Sequence, residues 1–241
     1  MRKQTKIAAV VSAAALLALG ASMTSFAASK GTWMMVDGEW YCYDKNGDAY
    51  TNVFCSSNGK EYYVGDDGQL VRSEWVDYDG SYYFVNSSGA KITNDWRLTT
   101  PYDDDTADEE WYYFKSNGKK LYADNGERTK DKTINGKKYA FDEYGAMVAE
   151  WSLDEGDEKI ASKSEERAKA SVGAATTSNA WSGAGNYAKY TQAWRYFNSV
   201  EDGSRVSKGW FKVVSAELLN EEKYNDDEDS WYYADGSGNL Y

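Results

Sequence analysis

The residue types that usually carry catalysis are sparse in this chain of 241 residues. It has no histidine and only two cysteines, Cys42 and Cys55, which removes the usual general base, the serine triad and most zinc sites. A glycosidase needs two carboxylates about 5 to 10 Å apart inside a cleft. The acidic residues instead cluster in turns and insertions, such as 103–105 and 226–229, which we interpret as solvated loops. We therefore expect no enzyme, no cofactor and no metal site.

Aromatic side chains, in contrast, recur in short clusters. Tryptophan, tyrosine and phenylalanine make up 16% of the chain, far from an average globular mix. The aligned clusters are Trp40-Tyr41-Cys42-Tyr43, Glu61-Tyr62-Tyr63-Val64, Ser81-Tyr82-Tyr83-Phe84, Trp111-Tyr112-Tyr113-Phe114, Lys138-Tyr139-Ala140-Phe141, Trp194-Arg195-Tyr196-Phe197 and Trp231-Tyr232-Tyr233-Ala234. A glycine follows each cluster: Gly47, Gly68, Gly89, Gly118, Gly145, Gly203 and Gly238. Further aromatics lie between the clusters, at Phe54, Trp75, Trp96, Trp151 and Trp210, and Trp33 takes the same place ahead of the first cluster.

Each cluster predicts a β-strand that is aromatic on both faces, because alternate side chains point to opposite sides. In the fourth copy, Asn117-Gly118 has the residue types of a tight hairpin turn, and 119–123 is predicted to return as the second strand. Other pairs, such as Asn58-Gly59 and Asn135-Gly136, are interpreted as turns that link one hairpin to the next. A single hairpin is marginally stable in water, so each copy needs a neighbour to pack against.

The spacing of 20 to 21 residues between the first three clusters predicts an all-β solenoid of stacked hairpins. Insertions interrupt the repeat at 99–110 and 215–230, and a longer polar one, predicted to be partly helical over 155–170, covers 152–192. We expect repeats one to five in 28–151 and repeats six and seven in 193–241. Because a solenoid normally ends in a capping unit, the last repeat is expected to be truncated.

The first 27 residues have the pattern of a cleaved secretory signal. Arg2, Lys3 and Lys6 precede an apolar run, and Ser25-Phe26-Ala27 fits a signal-peptidase site. Cleavage removes three basic residues from 27 and none of the 39 acidic ones, which leaves a net charge of 24 − 39 = −15. Such a charge argues against nucleic acid, and no membrane insertion is expected after cleavage.

In an exported protein a disulfide between Cys42 and Cys55 is possible. The predicted turn at 44–47, however, places Cys42 opposite a residue near Ala49, several positions short of Cys55. We therefore interpret the two cysteines as small, half-buried apolar residues.

Gly31-Thr32-Trp33, six residues, Trp40-Tyr41 and then Gly47 resemble the choline-binding, or cell-wall-binding, repeat of Gram-positive surface proteins, which is related to glucan-binding repeats. The resemblance covers 31–151 and 193–241. It implies a left-handed superhelix of β-hairpins with aromatic sites between consecutive hairpins that hold choline or, in the related repeats, glucan. Aromatic faces suit a quaternary ammonium, which cannot donate a hydrogen bond, and they also stack on sugar rings.

The resemblance further implies which residues form the sites. Each pair of walls is the tryptophan before a hairpin and the first tryptophan of its cluster: Trp33 with Trp40, Trp96 with Trp111, Trp151 with Trp194, and Trp210 with Trp231. Tyr62 and Tyr139 are candidate third walls, whereas Glu61, Ser81 and Lys138 depart from the pattern. Core packing is an equally good interpretation of the tryptophan pairs, and insertions separate all of them except Trp33 and Trp40.

The function that follows is a secreted, non-catalytic module that attaches non-covalently to a cell-wall polymer, either a choline-substituted teichoic acid or a glucan. Two alternatives stay open. The chain could bind an α-glucan or host glycan as an adhesin, since Glu61, Ser81 and Lys138 are polar, or the repeats could serve as a passive spacer.

Overall fold

The structure, a computed structural model, describes residues 31–124, 129–153, 194–217 and 219–241. The described residues divide into two compact units, one formed by those in 31–94 with 116–119 and the other by those in 95–115 with 120–241. The predicted signal sequence at 1–27 and the predicted helix at 155–170 lie outside the described residues.

The described residues form an all-β hairpin-repeat solenoid, as predicted, in which every sheet is an antiparallel pair of strands. Unit one contains β1 (Thr32–Val36) with β2 (Glu39–Tyr43), β3 (Val53–Ser57) with β4 (Lys60–Val64), and β5 (Glu74–Tyr78) with β6 (Ser81–Val85). Unit two contains β7 (Asp95–Thr99) with β8 (Glu110–Phe114), β9 (Lys130–Ile134) with β10 (Lys137–Phe141), β11 (Glu150–Leu153) with β12 (Trp194–Phe197), and β13 (Gly209–Val213) with β14 (Ser230–Ala234). These pairs are hairpins one to seven in chain order.

One short helix lies within the described residues, in the segment before β14. It is α1 (Glu221–Asn225), and the Asn220 side chain caps its first turn by accepting a hydrogen bond from the Lys223 amide. Across the described part of the chain, no helix is long and apolar enough to cross a membrane.

The turns that close the hairpins are not the predicted ones. Asn58-Gly59 and Asn135-Gly136 join the paired strands directly, and all four residues have positive φ, between 49° and 82°. Two residues with positive φ form the turn that matches the twist of a tight hairpin. The pairs interpreted as links between hairpins are therefore the hairpin turns themselves.

The glycine after each cluster lies in the connection to the next hairpin instead. In the first copy the Asp44 carboxylate accepts the amides of Asn46 and Asp48, which shapes the loop around Gly47. The return strand predicted at 119–123 is wrong, because only a single bridge joins Phe114 to Lys120. Residues 116–119 instead group with unit one, where Gly118 lies against the Lys91 side chain.

The third insertion also begins later than expected. Trp151 to Leu153 belong to β11, whose register pairs Trp151 with Tyr196 and Leu153 with Trp194. The first strand of hairpin six therefore extends two residues past the expected boundary at 151.

Packing between consecutive hairpins forms the core of each unit. In unit one, Phe54 and Tyr63 of hairpin two pack with Val76 and Tyr83 of hairpin three. In unit two, Tyr113 of hairpin four packs with Ile134 and Phe141 of hairpin five. Neighbouring hairpins thus supply the buried surface that a two-stranded ribbon lacks.

The two cysteines are free thiols inside this core. Cys42 and Cys55 are fully buried beside Val64, which is deeper than the predicted half-burial. Their sulfur atoms come together because β3 packs on β2, a contact that the within-hairpin argument did not consider. Hydrogen bonding with Cys42 and burial raise the pKa of the Cys55 thiol.

Candidate functional site

The candidate sites are slots between consecutive hairpins, each numbered by the first hairpin of its pair. A slot has four positions. Three are the predicted walls: the second residue of the hairpin's first strand, the first cluster residue, and the second cluster residue of the next hairpin. The fourth, here called the closing residue, donates its backbone amide to the carbonyl of the first cluster residue.

Slot 1 lies between hairpins one and two. Trp33 and Trp40 are on the same face of hairpin one, two register positions apart. The ring of Tyr62 meets Trp33 at a centroid distance of 5.7 Å and an angle of 72°. The amide of the closing residue, Leu70, donates to the Trp40 carbonyl at 2.8 Å. Trp40 is 37% exposed, so this wall of the slot is partly in contact with solvent.

Slot 4 repeats this geometry between hairpins four and five. Trp96 and Trp111 are 6.4 Å apart at 87°, and Tyr139 is 5.0 Å from Trp96 at 66°. The closing residue is Met147, whose amide donates to the Trp111 carbonyl at 2.8 Å. The three rings meet at steep angles and form a corner of aromatic faces, and an aromatic face attracts a cation placed over it.

Slot 6 has similar walls but is filled. Trp151 and Trp194 are 6.2 Å apart at 85°, and Tyr232 is 4.9 Å from Trp151. Leu219, from the insertion before β14, packs into the same buried cluster, and Trp194 is only 5% exposed. The Trp151 indole also donates to the Val214 carbonyl at 2.7 Å. The insertion thus provides the apolar occupant of this slot.

Tyr232 was not predicted as a wall. It occupies the second position of its cluster, as Tyr62 and Tyr139 do, so the same rule applied to the seventh copy identifies it.

Trp210 and Trp231, predicted as a pair, are both on hairpin seven. They lie on one face, because Trp210 pairs with Tyr233 and Lys212 pairs with Trp231. Their rings are 69% and 64% exposed and form an open face rather than a slot.

The third copy was misaligned by one residue. Trp75 pairs with Phe84 as Phe54 pairs with Tyr63, which makes Tyr82 the first cluster residue and Tyr83 the second. Ser81 therefore precedes the cluster and is not a slot position. The eight-residue offset from Ser81 to Gly89, one more than in most copies, is the sequence signal of this shift.

Slot 2 has charged residues at two of its four positions. Glu61 replaces the second tryptophan and forms an ion pair with the closing residue, Lys91. Burial and the nearby carboxylates of Asp79 and Glu61 raise the pKa of Tyr83, the third wall, so its hydroxyl stays neutral near pH 7. This slot is not an all-aromatic box.

Slot 5 is charged throughout. Asp131 and Lys138 occupy the positions of the two tryptophans, and Arg195 occupies that of the tyrosine. The closing residue is Arg205, which forms an ion pair with Asp131 at 2.7 Å and donates its amide to the Lys138 carbonyl at 2.7 Å. The departures at Glu61 and Lys138 thus mark slots of a different chemistry.

Within the described ranges, no three histidine, cysteine or acidic side chains come together as a metal-binding group. The turn at 44–48, which has calcium-loop residue types, uses the Asp44 carboxylate for its own backbone and for the Asn46 side chain.

Comparison with known proteins gives results only at the level of structure. No family model matches the chain, and no curated protein matches it. Among solved structures, CbpJ from Streptococcus pneumoniae TIGR4 is similar with a TM-score of 0.52 and 20% identity, covering 88% of this chain and 52% of CbpJ. The modular autolysin LytC of Streptococcus pneumoniae is similar with a TM-score of 0.51 and 18% identity, covering 88% of this chain and 33% of LytC.

A third similar structure is choline binding protein F of Streptococcus pneumoniae, with a TM-score of 0.50 and 22% identity, covering 88% of this chain and 52% of that one. The chain thus spans between a third and about half of the length of these structures. The resemblance inferred from the sequence is confirmed for the architecture: the chain has the hairpin-repeat fold of the choline-binding proteins.

Proposed function

We propose that this protein is a non-catalytic module that attaches to a choline-bearing cell-wall polymer through slots 1 and 4. The observation that carries the proposal is that slots 1 and 4 each combine two tryptophans on one face of a hairpin with a tyrosine of the next hairpin that contacts the first tryptophan. Leu70 closes slot 1 and Met147 closes slot 4. The similarity to choline binding protein F supports the same ligand class. In this proposal the protein is exported and held at the cell surface without a covalent bond.

The chemistry of the slots favours a quaternary ammonium. Such a cation cannot donate a hydrogen bond, so aromatic faces are its main source of attraction, each contributing about 0.5 to 2 kcal/mol depending on desolvation. The net charge of −12 further attracts cations over long range. Two slots on one chain give avidity for a polymer with many choline groups, even where each slot binds weakly.

Glycan binding is the second candidate function. It was based on polar residues at Glu61, Ser81 and Lys138, but Glu61 pairs with Lys91, and Ser81 lies outside the slots. Trp33 still offers one group that suits a sugar hydroxyl, because its indole N–H is buried without a hydrogen-bond partner. Dextran is therefore the second ligand in the test.

The test is a titration of tryptophan fluorescence with choline and, separately, with dextran, together with retention on a choline-substituted resin. We expect a saturable change with choline and elution from the resin by free choline. Tyr62→Ala and Tyr139→Ala should each weaken choline binding, because each removes the third wall of one slot. The matched control is Tyr144→Ala, since Tyr144 is 67% exposed and outside the slots.

A protein that passes through the choline resin and responds only to dextran would contradict the choline proposal in favour of a glycan. A protein that responds to neither ligand, in fluorescence or in melting temperature, would support the passive spacer. Equal effects of Tyr62→Ala and Tyr144→Ala would place the ligand outside slot 1.

A further inference from the structure

Slot 2 contains a cation that belongs to the chain itself. The Lys91 ammonium lies 4.9 Å from the centroid of the Phe54 ring and 5.4 Å from that of Tyr83, both within cation–π range. It also forms an ion pair with the Glu61 carboxylate. The cation is therefore held by two aromatic faces and one negative charge.

The burial of Lys91 fits an occupant rather than a surface residue. Its side chain is only 8% exposed, although a charged group in such a place needs compensation for lost hydration. Phe54, Tyr83 and Glu61 supply that compensation. The amide of Lys91 donates to the Glu61 carbonyl at 2.8 Å, which fixes the start of the side chain beside the slot.

A glycine covers the stem of Lys91. Gly118 has a φ of +81°, and a Cβ built on it would lie 2.8 Å from both Cδ and Cε of Lys91. Only a residue without a side chain fits at this position without displacing the lysine. The loop therefore passes directly over the lysine stem.

The closing residues of the other slots show which residue types stand where Lys91 stands in slot 2. Leu70 donates its amide to Trp40 in slot 1, Met147 donates to Trp111 in slot 4, and Arg205 donates to Lys138 in slot 5. Closing residues are thus apolar in slots 1 and 4 and cationic where an acidic residue replaces a tryptophan. Arg205 pairs with Asp131 much as Lys91 pairs with Glu61.

We propose that Lys91 is a resident ligand of slot 2: its ammonium occupies the place of an external cation, closes the slot to choline, and holds hairpins two and three together without ligand. The inference rests on the proposed function, in that slots 1 and 4 bind a quaternary ammonium. It adds that Lys91 excludes slot 2 from the binding stoichiometry. An aromatic box that retains Glu61 but lacks Lys91 should then accept a small cation.

The first experiment is calorimetric titration of the full chain with tetramethylammonium. Lys91→Ala should gain one binding site relative to the unmodified protein, and tetramethylammonium should raise its melting temperature more. Lys91→Arg should gain no site, because it keeps a cation at the closing position, as Arg205 does in slot 5. The double variant Lys91→Ala with Glu61→Ala should lose the added site. A folded Lys91→Ala variant without an added site would overturn the proposal.

A second measurement uses the unmodified protein and does not depend on how the variants fold. Amine acetylation followed by mass spectrometry should label the exposed Lys60 and leave Lys91 without measurable labelling, both with and without saturating choline. Labelling of Lys91 that appears when choline is added would mean that choline displaces it, and the proposal would fail. If the unmodified protein did not bind choline at all, the proposed function would be rejected. Protection of Lys91 from labelling would still show that the lysine occupies slot 2.

Discussion

Slots 1 and 2 are adjacent, belong to the same unit and are built on the same backbone, yet their chemistry is opposite. In both, the amide of the closing residue donates at 2.8 Å to the first cluster residue, from Leu70 to Trp40 and from Lys91 to Glu61. Slot 1 presents aromatic faces and an exposed tryptophan edge, whereas slot 2 contains an ammonium and its carboxylate partner. In the proposed function, the scaffold therefore fixes where a cation is held, and the side chains determine whether that cation comes from the chain or from outside.

The most direct way to break this comparison is to convert slot 1 into slot 2. Trp40→Glu combined with Leu70→Lys should close slot 1 with an internal ion pair and abolish choline binding there. Removing one of two sites should also lower affinity for a polymer by about tenfold or more, because avidity requires both sites. Titration with free choline and with a choline-substituted polymer measures the two effects. Unchanged stoichiometry would show that slot 1 does not bind.

Gly118→Ala tests whether the loop closes slot 2 over Lys91. The substitution combines backbone strain at a positive φ with a clash against the lysine stem, and we expect a loss of about 2 to 4 kcal/mol of stability. Gly136→Ala is the matched control, since Gly136 has a φ of +82° but nothing within 4 Å of the added Cβ. Denaturant unfolding compares the two variants. Equal losses would mean that the lysine stem contributes nothing.

Glu61→Ala sharpens the comparison by leaving the Lys91 ammonium in slot 2 without its counterion. We expect a loss of about 1.5 to 3 kcal/mol, the range for a hydrogen bond to a charged group, rather than the larger cost of breaking a fully buried pair, because Glu61 itself is partly exposed. Glu39→Ala is the control: its pair with Arg72 is exposed on both sides and should contribute about 0 to 1 kcal/mol. The same chemical unfolding curves measure both. A larger effect for Glu39→Ala would contradict a closed slot 2.

The smallest expected effect concerns a charge pair between hairpins five and six. A hydrogen bond from the Lys137 ammonium, at 2.9 Å, lowers the pKa of Asp202. A carboxylate with a lowered pKa in the folded state stabilises that state above its unfolded pKa of about 3.9, and this contribution is lost as pH falls through the folded pKa. Asp202→Asn should therefore lower the melting temperature slightly at pH 7 and not at the lowest pH. A pH-independent difference would contradict this origin.

The sequence predicted the repeat, the aromatic core and most walls of the slots, because side-chain period and cluster spacing depend on local chemistry. It did not predict which glycine turn closes each hairpin, since both kinds of turn use asparagine or aspartate with glycine. The two-residue gap between strands at Asn58-Gly59 distinguishes them once the register is known. Lys91 was missed because its partner Glu61 is in the previous repeat, and Arg205 because Asp131 is 74 residues earlier.

The division of the β-structure into two-stranded sheets has a consequence for local opening. The main-chain hydrogen bonds between neighbouring hairpins, such as the one from the Leu70 amide to the Trp40 carbonyl, are isolated bonds rather than continuous ladders. Amide protons should therefore exchange with deuterium at rates that differ from hairpin to hairpin, instead of sharing one global protection level. The amides beside Lys91, between hairpins two and three, should be protected without any ligand. The amides beside Trp40 in slot 1 should gain protection only when a soluble cation such as choline is added.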